Sequence, residues 1–359
     1  MKIVTIVGAR PQFIKAAAVS RVISKWGQLQ EVLVHTGQHF DDNMSRLFFE
    51  ELEIPTPKYQ LGIHSLPHGA MTGRMIESIE TVLQNEKPEC VLIYGDTNST
   101  LAAAVAASKL QLPVAHAEAG MRSFNLSMPE EINRIIADRL SKFLFCSTKT
   151  AVKNLENEGF IHFDCDILQT GDVMYDAALY YGENADRAFS LHQKIPFKDF
   201  VLCTLHRQEN TDDPAVLKQI LSALAEIHRE IPVVLPLHPR TRQRITQSGI
   251  SIEVHAIDPV GYLEMLGLTK SCRLVLTDSG GLQKEAFFFK KFCITLREET
   301  EWVELVELKV NQCAGARPGK ILSAFRKFSG MEFKTKAFPY GKGNAAEKIV
   351  KKLLAISPA

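Results

Sequence analysis

Short apolar runs rich in valine, isoleucine and leucine alternate along this chain with longer stretches whose apolar positions recur at helical spacing. Runs of the first kind read as parallel strands, and the amphipathic stretches as the helices that cover them. In the first half this predicts strands over 2–7, 31–35, 90–94, 113–117, 143–146 and 166–170, with helices over 11–25, 69–85, 98–109 and 129–141. The second half repeats the alternation, with strands over 200–204, 232–236, 252–256, 273–277 and 292–296. The expectation is an α/β chain with two open parallel sheets.

Between 171 and 198 a helical segment opening at Asp172-Val173 leads into the polar, proline-containing run Gln193-Lys194-Ile195-Pro196-Phe197-Lys198. A domain boundary is expected there, giving an N-terminal domain over 1–172 and a C-terminal domain over 173–340. The last amphipathic stretch, within 341–359, follows the loop Pro339-Tyr340-Gly341-Lys342-Gly343 and is expected to cross back to the first domain. Two crossings would make a natural hinge. A length of 359 residues suits two such domains.

Composition narrows the partners. A net charge of +1 supplies no broad basic field, so nucleic acid is not an expected partner. The seven cysteines are odd in number, widely spaced and without a C-x-x-C pair, which reads as reduced, buried thiols. The apolar run at the start stops at Gly8-Ala9-Arg10-Pro11, too short for an export signal, and no run approaches a membrane span. A cytoplasmic protein that does not enter membranes is expected.

Candidate chemistry lies where strands end, because ligands of open parallel sheets bind outside the carboxyl ends of the strands. The first strand runs into Gly8-Ala9-Arg10-Pro11-Gln12-Phe13-Ile14-Lys15. Glycine permits a tight turn, Pro11 suits the first helical position, and the new helix offers unpaired N–H groups to an anion, with Arg10 and Lys15 on either side. A plain strand-to-helix turn with solvated cations is the simpler alternative. The run is not G-x-G-x-x-G, so a dinucleotide is not expected.

The third and fourth strands run into Tyr94-Gly95-Asp96-Thr97-Asn98 and His116-Ala117-Glu118-Ala119-Gly120-Met121-Arg122, which turns Asp96 and Glu118 toward one crevice. Pro129-Glu130-Glu131-Ile132-Asn133-Arg134 follows, where acidic residues also suit a helix start. Carboxylates converging on one cleft divide into proton acceptors and a donor, which is acid–base equipment.

In the second half, one strand runs into Thr204-Leu205-His206-Arg207-Gln208-Glu209-Asn210. A lone histidine is usually structural, but His206 stands in a loop beside Arg207 and Glu209. Another strand ends in Leu237-His238-Pro239-Arg240, and the fourth in Thr277-Asp278-Ser279-Gly280-Gly281-Leu282-Gln283-Lys284-Glu285. Ser279, Gly280 and Gly281 open a helix whose N–H groups and dipole suit a diphosphate, and Glu285, about one turn inside, is placed for ribose hydroxyls. The alternative is a simple helix cap.

Jointly and in order, from Met1 to about Gly315, the motifs Gly8-Ala9-Arg10-Pro11, Gly95-Asp96-Thr97, Glu118-Ala119-Gly120-Met121-Arg122, Pro129-Glu130-Glu131-Ile132-Asn133-Arg134, His206-Arg207, His238-Pro239 and Asp278-Ser279-Gly280-Gly281 resemble the non-hydrolysing UDP-N-acetylglucosamine 2-epimerase family. The resemblance implies a GT-B fold: two Rossmann-like domains with parallel sheets, an interdomain cleft that takes a UDP-amino sugar, a homodimer, and no metal or nicotinamide cofactor. Carried onto matching positions, it implies catalytic roles for Asp96, Glu118, Glu130 and His206. It implies contacts to UDP or the sugar for Arg10, Lys15, His238, Ser279, Gly280, Gly281 and Glu285, and Arg122 and Arg207 join that binding set. In the implied reaction a carboxylate takes the C2 proton as UDP leaves C1, and cations stabilise the departing diphosphate.

Ala9, Gln12 and Phe13 stand where the acetylglucosamine branch commonly has Thr, Glu and Ala, and Trp302-Val303 where Arg-Pro is usual. Both departures are similar to the branch that epimerises UDP-2,3-diacetamido-2,3-dideoxyglucuronic acid in O-antigen assembly, so that sugar and UDP-N-acetylglucosamine are the two expected substrates. Gly37-Gln38-His39-Phe40-Asp41-Asp42-Asn43-Met44 lacks the Gln/Met pattern with which some bacterial relatives bind a second UDP-N-acetylglucosamine as activator. A GT-B UDP-sugar glycosyltransferase and a hydrolysing 2-epimerase are the alternatives. A transferase needs one base at its acceptor site, whereas Asp96, Glu118 and Glu130 offer several.

Overall fold

The computed structural model describes residues 1–38, 52–188 and 195–356. Residues 39–44 of the activator comparison and 193–194 of the expected linker lie outside them. The chain divides into two compact units, Met1–Leu179 with Phe338–Ala359, and Tyr180–Ala337.

The first unit is built on strands β1 (Lys2–Val7), β2 (Gln30–His35), β3 (Tyr59–Gln60), β4 (Cys90–Tyr94), β5 (Val114–Ala119), β6 (Phe143–Cys146) and β7 (Asp166–Gln169). All pair in parallel, in the order β3-β2-β1-β4-β5-β6-β7. Helices α1 (Arg10–Trp26), α2 (His68–Glu86), α3 (Asn98–Lys109), α4 (Pro129–Leu140), α5 (Lys149–Asn157) and α6 (Val173–Ala188) follow strands in turn. Every residue of β4 and β6 is buried, as expected of parallel strands covered on both faces. Val4, Ile6, Val91 and Ile93 of the sheet pack in one core with Met75, Ile79 and Leu83 of α2 and with Ala102, Ala103 and Ala106 of α3.

The second unit repeats the plan with β8 (Val201–Thr204), β9 (Val233–Pro236), β10 (His255–Ile257), β11 (Leu274–Thr277), β12 (Phe292–Thr295) and β13 (Asn311–Cys313). These are again parallel, in the order β10-β9-β8-β11-β12-β13. Its helices are α7 (Gln208–Thr211), α8 (Pro214–Glu230), α9 (Pro239–Gln247), α10 (Tyr262–Ser271), α11 (Gly280–Phe288), α12 (Val303–Glu307) and α13 (Pro318–Ser329). Leu202, Val234 and Val275 pack against Leu268 of α10 and Leu282 and Ala286 of α11.

Cys90, Cys146, Cys203, Cys272 and Cys293 are buried free thiols, and burial pushes Cys90 and Cys272 up to about 12, which leaves them unreactive. Among the described residues no helix is long and apolar enough to cross a membrane, and no group of three or more His, Cys, Asp or Glu is placed to hold a metal ion.

The units part at Leu179, inside the expected boundary stretch 171–198, and at Phe338, just ahead of the expected return at 341. The reason is local. The Asp172 N–H donates to the Tyr340 carbonyl (2.9 Å), and the Asp176 carboxylate, in the first turn of α6, accepts the N–H groups of Ala345 (3.1 Å) and Ala346 (2.8 Å). Asp176 thereby caps the final helix, α14 (Ala345–Leu354), which packs on α1. The start of α6 is thus bound to the returning chain.

Burial pushes the Asp176 carboxyl up to about 6, outweighing the two N–H bonds that favour its charged form. A carboxyl that holds its proton more tightly when folded lends stability at low pH, complete below its ordinary value of 3.8 and lost as the pH rises through about 6. Between pH 7.5 and pH 5 the wild type is therefore expected to gain about 1 kcal/mol that Asp176→Asn does not, measured by urea unfolding at both pH values.

Candidate functional site

In each sheet the strand order reverses once, between β1 and β4 in the first unit and between β8 and β11 in the second. The loops leaving such neighbours diverge to opposite sides and open a crevice at the carboxyl edge. The charged residues singled out in the sequence follow these strands or their neighbours.

In the first unit, Gly8 leaves β1 so close to its neighbours that a Cβ there would lie 2.1 Å from both Ser99 Oγ and Thr36 Oγ1. Gln12 holds the turn that follows. Its Oε1 accepts the N–H groups of Gly8 (2.8 Å) and Ala9 (3.0 Å), while Nε2 donates to the Tyr94 carbonyl (2.8 Å) and to Thr100 Oγ1 (3.0 Å). One amide therefore ties the β1 loop to the end of β4. Arg10, half-buried, is the first residue of α1.

One turn into α1, the Lys15 ammonium is ion-paired with the Glu118 carboxylate, and both side chains are over 90 % buried. Glu118 reaches it through an irregularity of β5: the register to β6 shifts between Ala117 and Ala119, and Glu118 has φ 73°. A bulge of this kind re-aims a side chain, and a non-glycine residue in the left-handed region marks strain held in place by its surroundings. Gly95 lies against the pair, where a Cβ would meet Lys15 Nζ at 3.0 Å.

Asp96, next in the chain, accepts from Arg134 Nε (3.0 Å) and Nη2 (2.6 Å), and its carbonyl accepts from Asn133 Nδ2 (2.9 Å). The first turn of α4 separates two adjacent acids. Glu130 is exposed, whereas Glu131 is buried and accepts the Ser123 N–H (2.9 Å), the Ser123 hydroxyl (3.0 Å), the Phe124 N–H (2.9 Å) and Arg134 Nη1 (2.8 Å). Burial raises the Glu131 carboxyl, but these bonds prevail and hold it below the usual range. Glu131 thus anchors the loop after β5, and the described contacts do not tie Glu130 to Asp96 or Glu118.

Arg122, expected in the binding set, is engaged within the first unit. Its Nη1 donates to the Met121 carbonyl and to Asp138 Oδ2 (both 2.7 Å), and its Nε and Nη2 take both oxygens of Glu158 (2.7 and 2.8 Å). The side chain is 1 % exposed. Four of its five N–H donors are engaged in the interior, an arrangement that suits a scaffold as well as a ligand contact.

In the second unit, His206 follows β8 and Asp278 follows β11. The Asp278 carboxylate accepts the N–H groups of His206 (3.0 Å) and Arg207 (2.9 Å) and the Asn210 amide (3.2 Å), and it stands 3.0 Å from His206 Nδ1. Burial raises the Asp278 carboxyl, but His206 and the N–H groups hold it below the usual range. The His206 side chain is itself exposed, so the buried carboxylate fixes an accessible imidazole by one nitrogen.

Beyond Asp278, Ser279 caps α11 without a side-chain bond, and Gly280 and Gly281 are its first helical residues. A Cβ on Gly280 would come within 2.5 Å of Glu301 Oε1, and Arg297 Nη1 pairs with Glu301 Oε2 at 2.9 Å. Glu285 is buried further along α11, and Arg207 is half-buried. His238 is exposed at the start of α9, where its Nδ1 accepts the Arg240 N–H (3.3 Å). Arg134 and Asp278 fell outside the expected site set. The available signals were the i, i+3 spacing of Arg134 from Glu131 and the position of Asp278 directly before Ser-Gly-Gly.

Two units of Rossmann type, each with ionisable loops at its switch point, define a chain of the GT-B class. A sequence model of UDP-N-acetylglucosamine 2-epimerase matches residues 21–354. UDP-2,3-diacetamido-2,3-dideoxy-D-glucuronate 2-epimerase of Pseudomonas aeruginosa is 55 % identical over 354 residues, 98 % of this chain and 99 % of that protein. The crystal structure of Methanocaldococcus jannaschii UDP-GlcNAc 2-epimerase with UDP-GlcNAc and UDP matches at TM-score 0.90 and 40 % identity, over 98 % of this chain and 99 % of its own. That of the Neisseria meningitidis UDP-GlcNAc 2-epimerase bound to UDP-GlcNAc matches at 0.89 and 32 %, over 99 % and 100 %. The chain belongs to the UDP-N-acetylglucosamine 2-epimerase family, whose members are isomerases.

The two readings of Arg122 separate on substitution. As a scaffold residue, Arg122→Ala is expected to lower stability by about 3 kcal/mol, because Asp138 loses a partner in the interior. Thermal or urea unfolding measures this; a ligand contact would instead weaken UDP-sugar binding at unchanged stability.

Proposed function

We propose that this enzyme inverts C2 of UDP-2,3-diacetamido-2,3-dideoxyglucuronate in preference to UDP-N-acetylglucosamine. The observation that carries the chemistry is the pair of carboxylate–cation contacts at adjacent strand ends, Glu118 with Lys15 and Asp96 with Arg134. Moving a proton on and off both faces of one carbon takes more than one acid–base group, and expelling a diphosphate takes positive charge close by.

In the proposed reaction a carboxylate removes the C2 proton, the C1–O bond to UDP breaks, and a C1=C2 double bond forms in a 2-acetamido glycal, which from UDP-N-acetylglucosamine would be 2-acetamidoglucal. A proton delivered to the opposite face of C2 and return of the UDP oxygen to C1 complete the inversion. Asp96, Glu118 and Glu130 supply the acid–base groups. His206 serves the leaving phosphate, held by Asp278, and Arg10 and Lys15 add charge. The N–H groups at Ser279, Gly280 and Gly281 take the diphosphate at the start of α11, with Glu285 for the ribose and Arg207 and His238 as further contacts.

Support for the diacetamido sugar comes from Gln12, Phe13 and Trp302-Val303, the residues that depart from the acetylglucosamine branch, and from the 55 % identity to a protein of that name. Gln12 uses an amide nitrogen, which glutamate lacks, to bond the Tyr94 carbonyl. The family resemblance supports a homodimer that works in the cytoplasm on an O-antigen precursor.

Incubation of the enzyme with each UDP-sugar in deuterated water tests the reading. Deuterium is expected at C2 without any acceptor, and faster from the diacetamidoglucuronate. No C2 deuterium from either sugar refutes the epimerase reaction in favour of a transferase, irreversible release of UDP and free sugar indicates a hydrolysing enzyme, and faster turnover of UDP-N-acetylglucosamine overturns the choice of substrate. Asp96→Asn is expected to keep UDP binding and to lose C2 exchange by on the order of 10²-fold or more.

A further inference from the structure

Asp138 lies in the last turn of α4, wholly buried and remote from solvent. Its carboxylate stands 2.7 Å from His116 Nδ1 and accepts the Gly120 N–H (3.0 Å) and Arg122 Nη1 (2.7 Å). The other ring nitrogen of His116, equally buried, lies 2.7 Å from the Gly95 carbonyl. Both ring nitrogens thus stand at hydrogen-bond distance from an oxygen, one on α4 and one at the end of β4. Burial raises the Asp138 carboxyl, yet His116 and Arg122 hold it below the usual range.

The placement of these bonds is what matters. His116 and Gly120 stand two residues before and two residues after Glu118, and one carboxylate grips both. Between them Glu118 keeps its φ of 73° and the β5 irregularity. Gly120, itself at φ 78°, is pressed so close to α5 that a Cβ would lie 2.4 Å from the Ala151 carbonyl, and its own carbonyl accepts from Asn154 (3.0 Å). On the other side, the Gly95 N–H donates to the Ala117 carbonyl (3.0 Å) while its carbonyl receives His116, so β5 clamps the Gly95 peptide directly ahead of Asp96.

We propose that His116 and Asp138 are positioning residues for the acid–base pair: Asp138 holds Glu118 in its strained backbone by gripping the residues on either side, and His116 relays that hold to the Gly95–Asp96 turn. This rests on the proposed roles of Asp96 and Glu118. A strained residue persists only where its surroundings over-determine it, and the Asp138–His116 link supplies that constraint from the protein interior.

Two substitutions of His116 separate its two bonds. His116→Asn places an amide where Nδ1 was and keeps the Asp138 contact while losing Gly95; His116→Gln reaches to where Nε2 was and keeps Gly95 while losing Asp138. In the full-length enzyme acting on UDP-2,3-diacetamido-2,3-dideoxyglucuronate, His116→Asn, His116→Gln and Asp138→Asn are each expected to lower kcat by on the order of 10²-fold with KM little changed, because each breaks the chain from Asp138 through His116 to Gly95. Hydrogen–deuterium exchange should rise in peptides covering 94–98 in His116→Asn, in peptides covering 117–123 in His116→Gln, and in both in Asp138→Asn. A folded His116→Asn, His116→Gln or Asp138→Asn enzyme with wild-type kcat overturns the assignment; if one variant does not fold, the others decide. Unchanged exchange protection in these peptides overturns it whether or not the enzyme is active. Absence of C2 exchange in the wild type refutes the proposed reaction instead, leaving the exchange measurement to judge the positioning.

Discussion

An ammonium and a carboxylate removed from water each cost several kcal/mol unless they hold one another, and leaving either alone is worse still. The Lys15–Glu118 pair places this constraint at the carboxyl edge of the first sheet, and much of the local backbone answers to it. Lys15 arrives on α1, whose first turn is bound by Gln12 to the end of β4. Glu118 arrives through an irregular strand end, and Gly95 carries no side chain to displace the pair. Each of these features is unfavourable or indifferent for a plain sheet. Together they hold two opposite charges where three strands end.

The second unit solves a related problem with a single buried acid. Asp278 sits at the reversal of strand order and collects two backbone N–H groups, one amide and one imidazole. Because β8 and β11 are in register from Val201–Leu274 to Thr204–Thr277, the loops after them leave the sheet at the same level, and one carboxylate can bind both. The hydroxyls of Thr204 and Thr277, 2.6 Å apart, close the same seam one residue earlier. The exposed imidazole of His206 therefore owes its orientation to a residue that itself has no access to solvent.

Much of this was legible in the sequence. The central strands appear as short β-branched runs because burial on both faces leaves no polar position, and β1, β4 and β6 match their expected ends. The strands β3 and β13, two and three residues long and unmarked by any such run, were not legible. Local sequence also could not decide between Glu130 and Glu131, since both suit the first turn of a helix and only the rotation of α4 turns one inward. The ion pairs of Arg122 were not legible either, since its partners Asp138 and Glu158 stand 16 and 36 residues away. The left-handed backbone of Glu118 had no glycine to announce it.

Of the residues read in the sequence as departing from the acetylglucosamine branch, Gln12, Phe13 and Trp302 are buried, whereas Val303 is 41 % exposed. Gln12 is 1 % exposed and Trp302 is 6 % exposed. Gln12 acts on the turn that carries Arg10 and leads to Lys15. Trp302 approaches the first residue of α11, its Nε1 being 3.4 Å from where a Gly280 Cβ would stand, and the Lys284 ammonium rests 4.0 Å above its ring. A cation over an indole face is attracted by the ring's electrons, whereas an arginine at the same position would bring a like charge against Lys284. Trp302 thus takes part in how α11 is held. Side chains as buried as Gln12 and Trp302 give a ligand little surface to touch, so whatever they contribute to its choice is exerted through the loops they support.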